Sequence, residues 1–248
     1  MNYKIAIASH QRIDMIRKKT LFYLNKNKIN PSSVYIFVSP ESYESYKDEF
    51  LDYNIVLSKN NILDTRNHII EYFDEGQPIV EMDDDVENIQ TTKKGVENER
   101  IGDLDLFIKN SFVKLGKQGL WGVNSNVNNF FATGQDKFGL YSIINSFLGY
   151  YNDKNIILAV PEKEDFDRVC QFYKKNLPIL KRCGYGINTR YWKNQGGIQA
   201  RYNFDQRIIV QKESADMLME KYPDLVYQRI RKNGIVDIRF RRKKSIII

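Results

Sequence analysis

The first third of the chain alternates short apolar runs with amphipathic segments, and few architectures accept that order. Tyr3–Ala8, Val34–Val38, Asn54–Leu57 and Pro78–Met82 read as strands. Between them the pattern predicts a helix with Ile13, Ile16, Thr20 and Leu24 on one side, a helix from about Glu41 to Leu51, and a helix through Thr65–Ile70. Such alternation predicts an α/β protein with a mostly parallel sheet flanked by helices. In such sheets ligands gather at the carboxyl ends of strands, and Ser9–Arg12 and Asp83–Asp85 fall at two of them. The second half is less regular. It offers a helix over Asp103–Leu115, apolar segments around Trp121 and Ile143–Leu148, a strand over Ile156–Val160 and a helix over Lys163–Lys174. No low-complexity linker or internal repeat divides the chain, which predicts one unit with an elaborated carboxyl-terminal half.

The run Gln77–Asp85 ends an apolar segment in three adjacent carboxylates. Adjacent acids repel, so an opposing cation is a reason for such a cluster. In an extended chain alternate side chains share a face, which lets Asp83 and Asp85 point together at a divalent metal while Asp84 points elsewhere. Hard oxygen ligands suit Mg or Mn, ions commonly held by one or two carboxylates plus substrate phosphates. The same acids also suit an exposed turn or the first turn of a helix.

Composition narrows the chemistry. With two cysteines and two histidines in 248 residues, a disulfide framework or cysteine-rich zinc site has no ligands to draw on. Metal chemistry then rests on carboxylates. The net charge of +7 favours polyanions without demanding them. Its densest run is Arg239-Phe240-Arg241-Arg242-Lys243-Lys244, which suits a phosphate contact or a solvated edge strand and tail. No apolar run approaches the roughly 18 residues of a membrane span, and the amino terminus lacks the apolar core of a signal peptide. The expected location is the cytoplasm or nucleus, without membrane partners.

With the elements in order, the chain resembles the nucleotide-sugar glycosyltransferases of the GT-A fold, a Rossmann-related α/β class. More narrowly it is similar to the viral and kinetoplastid group that includes base J glucosyltransferase. The carriers are Ile7-Ala8-Ser9-His10-Gln11-Arg12, Lys19-Thr20-Leu21, Tyr35–Ser39 followed by Glu41 and Tyr46, Thr65–Ile70 and Asp83–Val86. They continue with Trp121–Asn129, Glu164-Asp165-Phe166-Asp167 and Gly196-Gly197-Ile198. The resemblance implies a UDP-sugar donor and divides the chain into a nucleotide-sugar-binding half, residues 1–90, and an acceptor-binding and catalytic half, residues 91–248.

It also implies roles. Ser9, Arg12, Arg66, Asn67 and Asp84 would line the nucleotide sugar, with guanidinium groups well matched to diphosphate. A single arginine is as readily a surface ion pair. Asp83 and Asp85 would hold Mn or Mg, whose charge stabilises the departing diphosphate. Asp165, with Glu164 as competitor, would be the general base of an inverting transfer; acids at a helix amino terminus are also simply favourable charge. Many GT-A enzymes add a late histidine to the metal shell, and none follows His68 here, which leaves water, diphosphate or an acid such as Asp205 to complete it. His10 and His68 sit beside the proposed nucleotide site, and Gly196-Gly197 suits close backbone approach or a turn.

The expected function is therefore glycosyl transfer, with glucose from UDP-glucose the favoured donor and a hydroxymethylated pyrimidine in DNA the favoured acceptor. Reaching such a base requires the major groove or an extruded nucleotide. Tyr150, Tyr151, Tyr185 and Tyr191 are candidate stacking surfaces, or core. The rivals are a transferase acting on protein or glycan, a noncatalytic DNA-binding module of the same fold, and a nucleotidyltransferase. High Lys, Asn and Ile usage suits an AT-rich genome, as of a virus.

Overall fold

The computed structural model describes residues 1–129, 132, 134–189, 204–231 and 234–241, without the side chains of Phe204 and Asp205. Its centre is a nine-stranded sheet: β1 Lys4–Ser9, β2 Val34–Val38, β3 Asn54–Leu57, β4 Pro78–Asp83, β5 Asn88–Thr91, β6 Leu120–Asn124, β7 Lys137–Phe138, β8 Phe147–Tyr151 and β9 Ile179–Asn188. The strands run in the order β3-β2-β1-β4-β8-β6-β9-β5, with β7 also on β9. β3, β2, β1, β4, β6 and β9 point one way, and β8, β5 and β7 the other. The sheet is thus α/β and mostly parallel, flanked by helices, as the alternation predicts.

Helices cover both faces, so strand residues on either side are apolar. Ile5, Ile7, Ile36, Val80 and Met82 pack under the helices Ile13–Lys26 and Leu104–Leu115, while Ala6, Phe37 and Ile79 pack under Ile62–Tyr72 and Glu164–Lys174. The two cores follow from the two-residue period of a strand. Gly149 serves the first of them: a Cβ there would collide with the Trp121 ring on the neighbouring strand. A separate hairpin, β10 Val226–Ile230 with β11 Val236–Phe240, packs with the helix Phe204–Lys221 against Val160 and Cys170. Among the described residues no helix is long and apolar enough to cross a membrane.

Two expectations change. The first helix is α-helical over Ile13–Ile16, π-helical over Arg17–Leu21 and α-helical again over Phe22–Lys26. The widened turn aims Thr20 at β4, where its hydroxyl donates to the Asp83 carbonyl at 2.7 Å and accepts from the Val86 amide at 3.0 Å. Ile156–Val160 forms no strand, because side chains satisfy its backbone in place of a neighbouring strand. The Asn67 amide bonds both Leu158 backbone groups at 2.8 Å, Gln171 bonds both of Ile157, and the Asp167 carboxylate accepts from Ala159 N at 2.7 Å.

Candidate functional site

The carboxyl ends of β1 and β4 lie side by side, with Ala8 paired to Asp83. Only Asp83 belongs to the strand; Asp84 and Asp85 form the turn beyond it, so a turn and not an extended chain sets their directions. Asp83 and Asp85 remain half-buried, and Asp84 turns inward and is buried. There it meets the Ser9 hydroxyl at 2.7 Å and the Arg12 guanidinium at 2.6 Å. Tyr46 accepts from the Arg12 amide at 2.9 Å and lies 2.8 Å from Ser9 Oγ; since that hydroxyl donates to Asp84, Tyr46 donates to it. Gln11, at φ 52°, makes the left-handed turn that brings Arg12 back to this cluster. Burial pushes the Asp84 carboxyl up to about 7, against the pull of Arg12 and Ser9.

Arg66 is buried behind Asp83. Its Nη2 donates to Asp83 Oδ1 and its Nη1 to Glu81 Oε2, both at 2.7 Å. Glu81 Oε1 accepts from Arg168 Nη1 and from the Tyr150 hydroxyl, both at 2.6 Å. Burial opposes each of these charges, yet the carboxylates hold the Arg66 pKa above its ordinary value, and Arg168 and Arg66 hold Glu81 below its own. Tyr150 is therefore core, its hydroxyl spent on Glu81, and offers no stacking face.

The third contributor is the first turn of the Glu164–Lys174 helix. Asn145 donates to Glu164 Oε1 at 3.1 Å, and the adjacent Ser146 carbonyl accepts from the Asp83 amide at 3.2 Å, which ties the helix head to the end of β4. The negative charge of Glu164 also acts on Arg66. Asp165 is half-buried and accepts from the Phe166 amide at 2.8 Å. Burial, then the neighbouring Glu164, push its carboxyl up to about 7. From the other side Thr189 donates to Asp85 Oδ1 at 2.8 Å.

The remaining candidates divide. Asn67 directs both ends of its amide to Leu158. His10 Nδ1 lies 2.8 Å from Ser39 Oγ and its Nε2 3.4 Å from Glu41, while His68 Nδ1 lies 2.9 Å from Ser58 Oγ, with burial lowering its pKa. Tyr151 donates to the Gly116 carbonyl, and Tyr185 packs edge-on against Phe107 at 4.6 Å. Tyr191, Gly196, Gly197, Arg242 and the Asp205 side chain lie outside the described residues. Among the described residues no three His, Cys, Asp or Glu side chains gather as a metal site. What Asp83 and Asp85 offer is two hard oxygen donors at a strand end, a set that suits Mn or Mg when diphosphate oxygens supply further ligands.

Sequence reasoning passed over Glu81 and Arg168. Glu81 carried a signal, since a carboxylate inside the apolar run Pro78–Met82 requires buried cations. Arg168 carried none.

No protein-family model and no curated protein sequence matches the chain. Among solved structures, glucosyl-3-phosphoglycerate synthase from Mycobacterium tuberculosis in complex with UDP superposes at a TM-score of 0.50, with 8% identity over 92% of this chain and 84% of that one. A mycobacterial protein gives 0.48 at 9% identity over 96% and 83% of the two chains. GalNAc-T7 with UDP, GalNAc and Mn2+ gives 0.47 at 9% identity over 90% of this chain and 50% of its own. The first of these superpositions, together with the strand order, shows that the chain has the GT-A glycosyltransferase fold.

Proposed function

We propose that the chain transfers a sugar from a nucleotide sugar, UDP-glucose being the favoured donor, to a hydroxyl acceptor with inversion. The observation that carries this is the convergence of two carboxylate pairs on one end of the sheet: Asp83, bonded to Arg66, with Asp85 in the turn beyond it, and Glu164 with Asp165 at the head of the helix that Asn145 and the adjacent Ser146 tie to the Asp83 amide. The synthase of the same fold was solved with UDP. Asp83 and Asp85 are the residues that would hold Mn or Mg, which supplies positive charge to a leaving diphosphate. Ser9 and Arg12 fix the β1 end beside them through Asp84. Asp165 takes the proton from the acceptor hydroxyl as that oxygen bonds the anomeric carbon and the bond from carbon to diphosphate oxygen breaks.

For the acceptor we propose a hydroxymethylated pyrimidine in DNA. The hairpin beside the Asp165 helix supports a polyanion: Phe240 of β11 packs on Phe166 at 5.1 Å. On its exposed side Tyr227 pairs in register with Arg239 and lies under Arg241 at 5.8 Å. An aromatic ring between exposed arginines suits stacking and phosphate contact together.

The test is incubation with a panel of nucleotide sugars, with and without hydroxymethylated DNA, followed by mass spectrometry of the digested nucleosides. Release of nucleoside diphosphate with a glycosylated nucleoside is the expected result. Pyrophosphate release would indicate nucleotidyl transfer, and donor hydrolysis without a DNA product would indicate a protein or glycan acceptor. In that assay Asp83→Asn and Asp85→Asn should each abolish most transfer, and calorimetry should show each to weaken Mn affinity in the presence of UDP, with unchanged affinity counting against the metal reading.

A further inference from the structure

Glu81 and Asp83 are two residues apart in β4, so their side chains leave the strand on one face. Glu81 is 0% exposed, and its two oxygens divide between Arg66, from the Ile62–Tyr72 helix, and Arg168, from the Glu164–Lys174 helix. Arg66 passes the contact on to Asp83. Arg168 stands four residues after Glu164, on the same face of its helix, so anchoring Arg168 sets the rotation of the turn that carries Glu164 and Asp165.

Charge balance separates this cluster from ordinary packing. Arg66, Arg168 and Glu81 leave one excess positive charge in the interior, which the half-buried Asp83, bonded to Arg66, balances. Buried charges are tolerated when paired, so the interior cluster depends on a carboxylate of the site itself. Among the described residues Arg66 Nε and Arg168 Nε and Nη2 are buried without a hydrogen-bond partner, so if Glu81 retreats Arg66 keeps only Asp83 and Arg168 loses its carboxylate partner.

We propose that Glu81 is a positioning residue that holds the donor-side carboxylate Asp83 and the acceptor-side carboxylates Glu164 and Asp165 in one fixed relation. The proposal deepens the glycosyltransferase reading and rests on it.

Glu81→Asp keeps the charge and withdraws the carboxylate by one methylene, too far to serve both arginines. Expected are cooperative unfolding as in wild type, Mn affinity in the presence of UDP reduced fivefold or more, and kcat reduced tenfold or more. A folded Glu81→Asp with both values within twofold of wild type overturns the proposal. Should that variant fail to fold, the double variant Glu81→Gln, Arg168→Met decides, because it removes one charge of each sign and leaves the Arg66–Asp83 pair. If Glu81 positions the helix, the double variant regains stability while the pH at which its transfer rate is half-maximal stays displaced. Recovery of stability and the wild-type pH profile together overturns the proposal. If wild type turns over no nucleotide sugar, the functional reading fails on its own. Side-chain 15N spectra then decide the positioning claim: restricted Nη rotation of Arg66 and Arg168 in wild type, released for both in the variant, supports it, and free rotation in wild type overturns it.

Discussion

Asp165 and Asp84 are both carboxyls whose pKa lies at about 7, and the same shift has different consequences at the two positions. A general base works ionised, so the transfer rate should rise about tenfold per pH unit below 7 and level off above it. Asp165→Asn should remove that limb and lower kcat by roughly 100-fold or more, with donor affinity kept. Pre-steady-state rates across pH 5–9 check this, and a dead Glu164→Gln beside an active Asp165→Asn would reassign the base. Both shifts also lower stability as pH rises, and at Asp84 that is the whole effect. Its folded pKa lies above the unfolded value near 3.9, so the folded state binds the extra proton between those limits and stability falls as pH rises through them. Asp84→Asn should flatten that fall, read from urea midpoints at pH 4, 5.5 and 8. The cluster of three carboxylates was legible in the sequence, but strand alternation does not set their directions, because Asp84 and Asp85 lie in the turn beyond β4. The partner that turns Asp84 inward was not legible, because Arg12 reaches it only across the β1–β4 pairing.

At the scale of elements, the strands β1 to β4 are readable because each is a continuous apolar run bounded by polar turns, the pattern of a sheet covered on both faces. Ile156–Val160 has the same composition and is no strand. Composition reports burial, and burial came here from side-chain bonds made by Asn67, Gln171 and Asp167, all distant in sequence or on another element. Asn67 is accordingly predicted to act through this segment. Asn67→Ala removes two hydrogen bonds to Leu158 and should cost about 2 kcal/mol of stability. UDP affinity should be unchanged. Urea unfolding and UDP calorimetry on one sample distinguish this from a nucleotide contact, which would show the opposite pattern.

For the whole molecule, the sheet runs across the boundary that the resemblance draws at residue 90. β5 leaves the Asp83–Asp85 turn and pairs with β9 at the far edge, and β8 and β6 enter between β4 and β9. Local patterning cannot reveal pairings this distant, whereas the order of elements in the first half follows from short loops. The basic carboxyl-terminal run falls partly on β11, where Arg239 stays exposed while Val236 and Ile238 are buried, and exposed Arg241 follows the strand directly. The paired strand adds exposed Arg229 to the same hairpin. If this surface holds DNA, binding releases condensed counterions, and the logarithm of affinity should fall linearly with the logarithm of salt concentration. Replacing Arg229, Arg239 and Arg241 together with Ala should weaken DNA binding and reduce that slope by up to about 3, close to one for each phosphate no longer neutralised. UDP affinity should stay constant across the series, because on this proposal the hairpin meets the acceptor and not the donor. Fluorescence anisotropy of a labelled hydroxymethylated duplex over a salt titration, with wild type and the triple variant in parallel, measures both slopes. Equal slopes would remove the hairpin from the DNA path, and a salt-independent affinity in wild type would count against a nucleic-acid acceptor altogether.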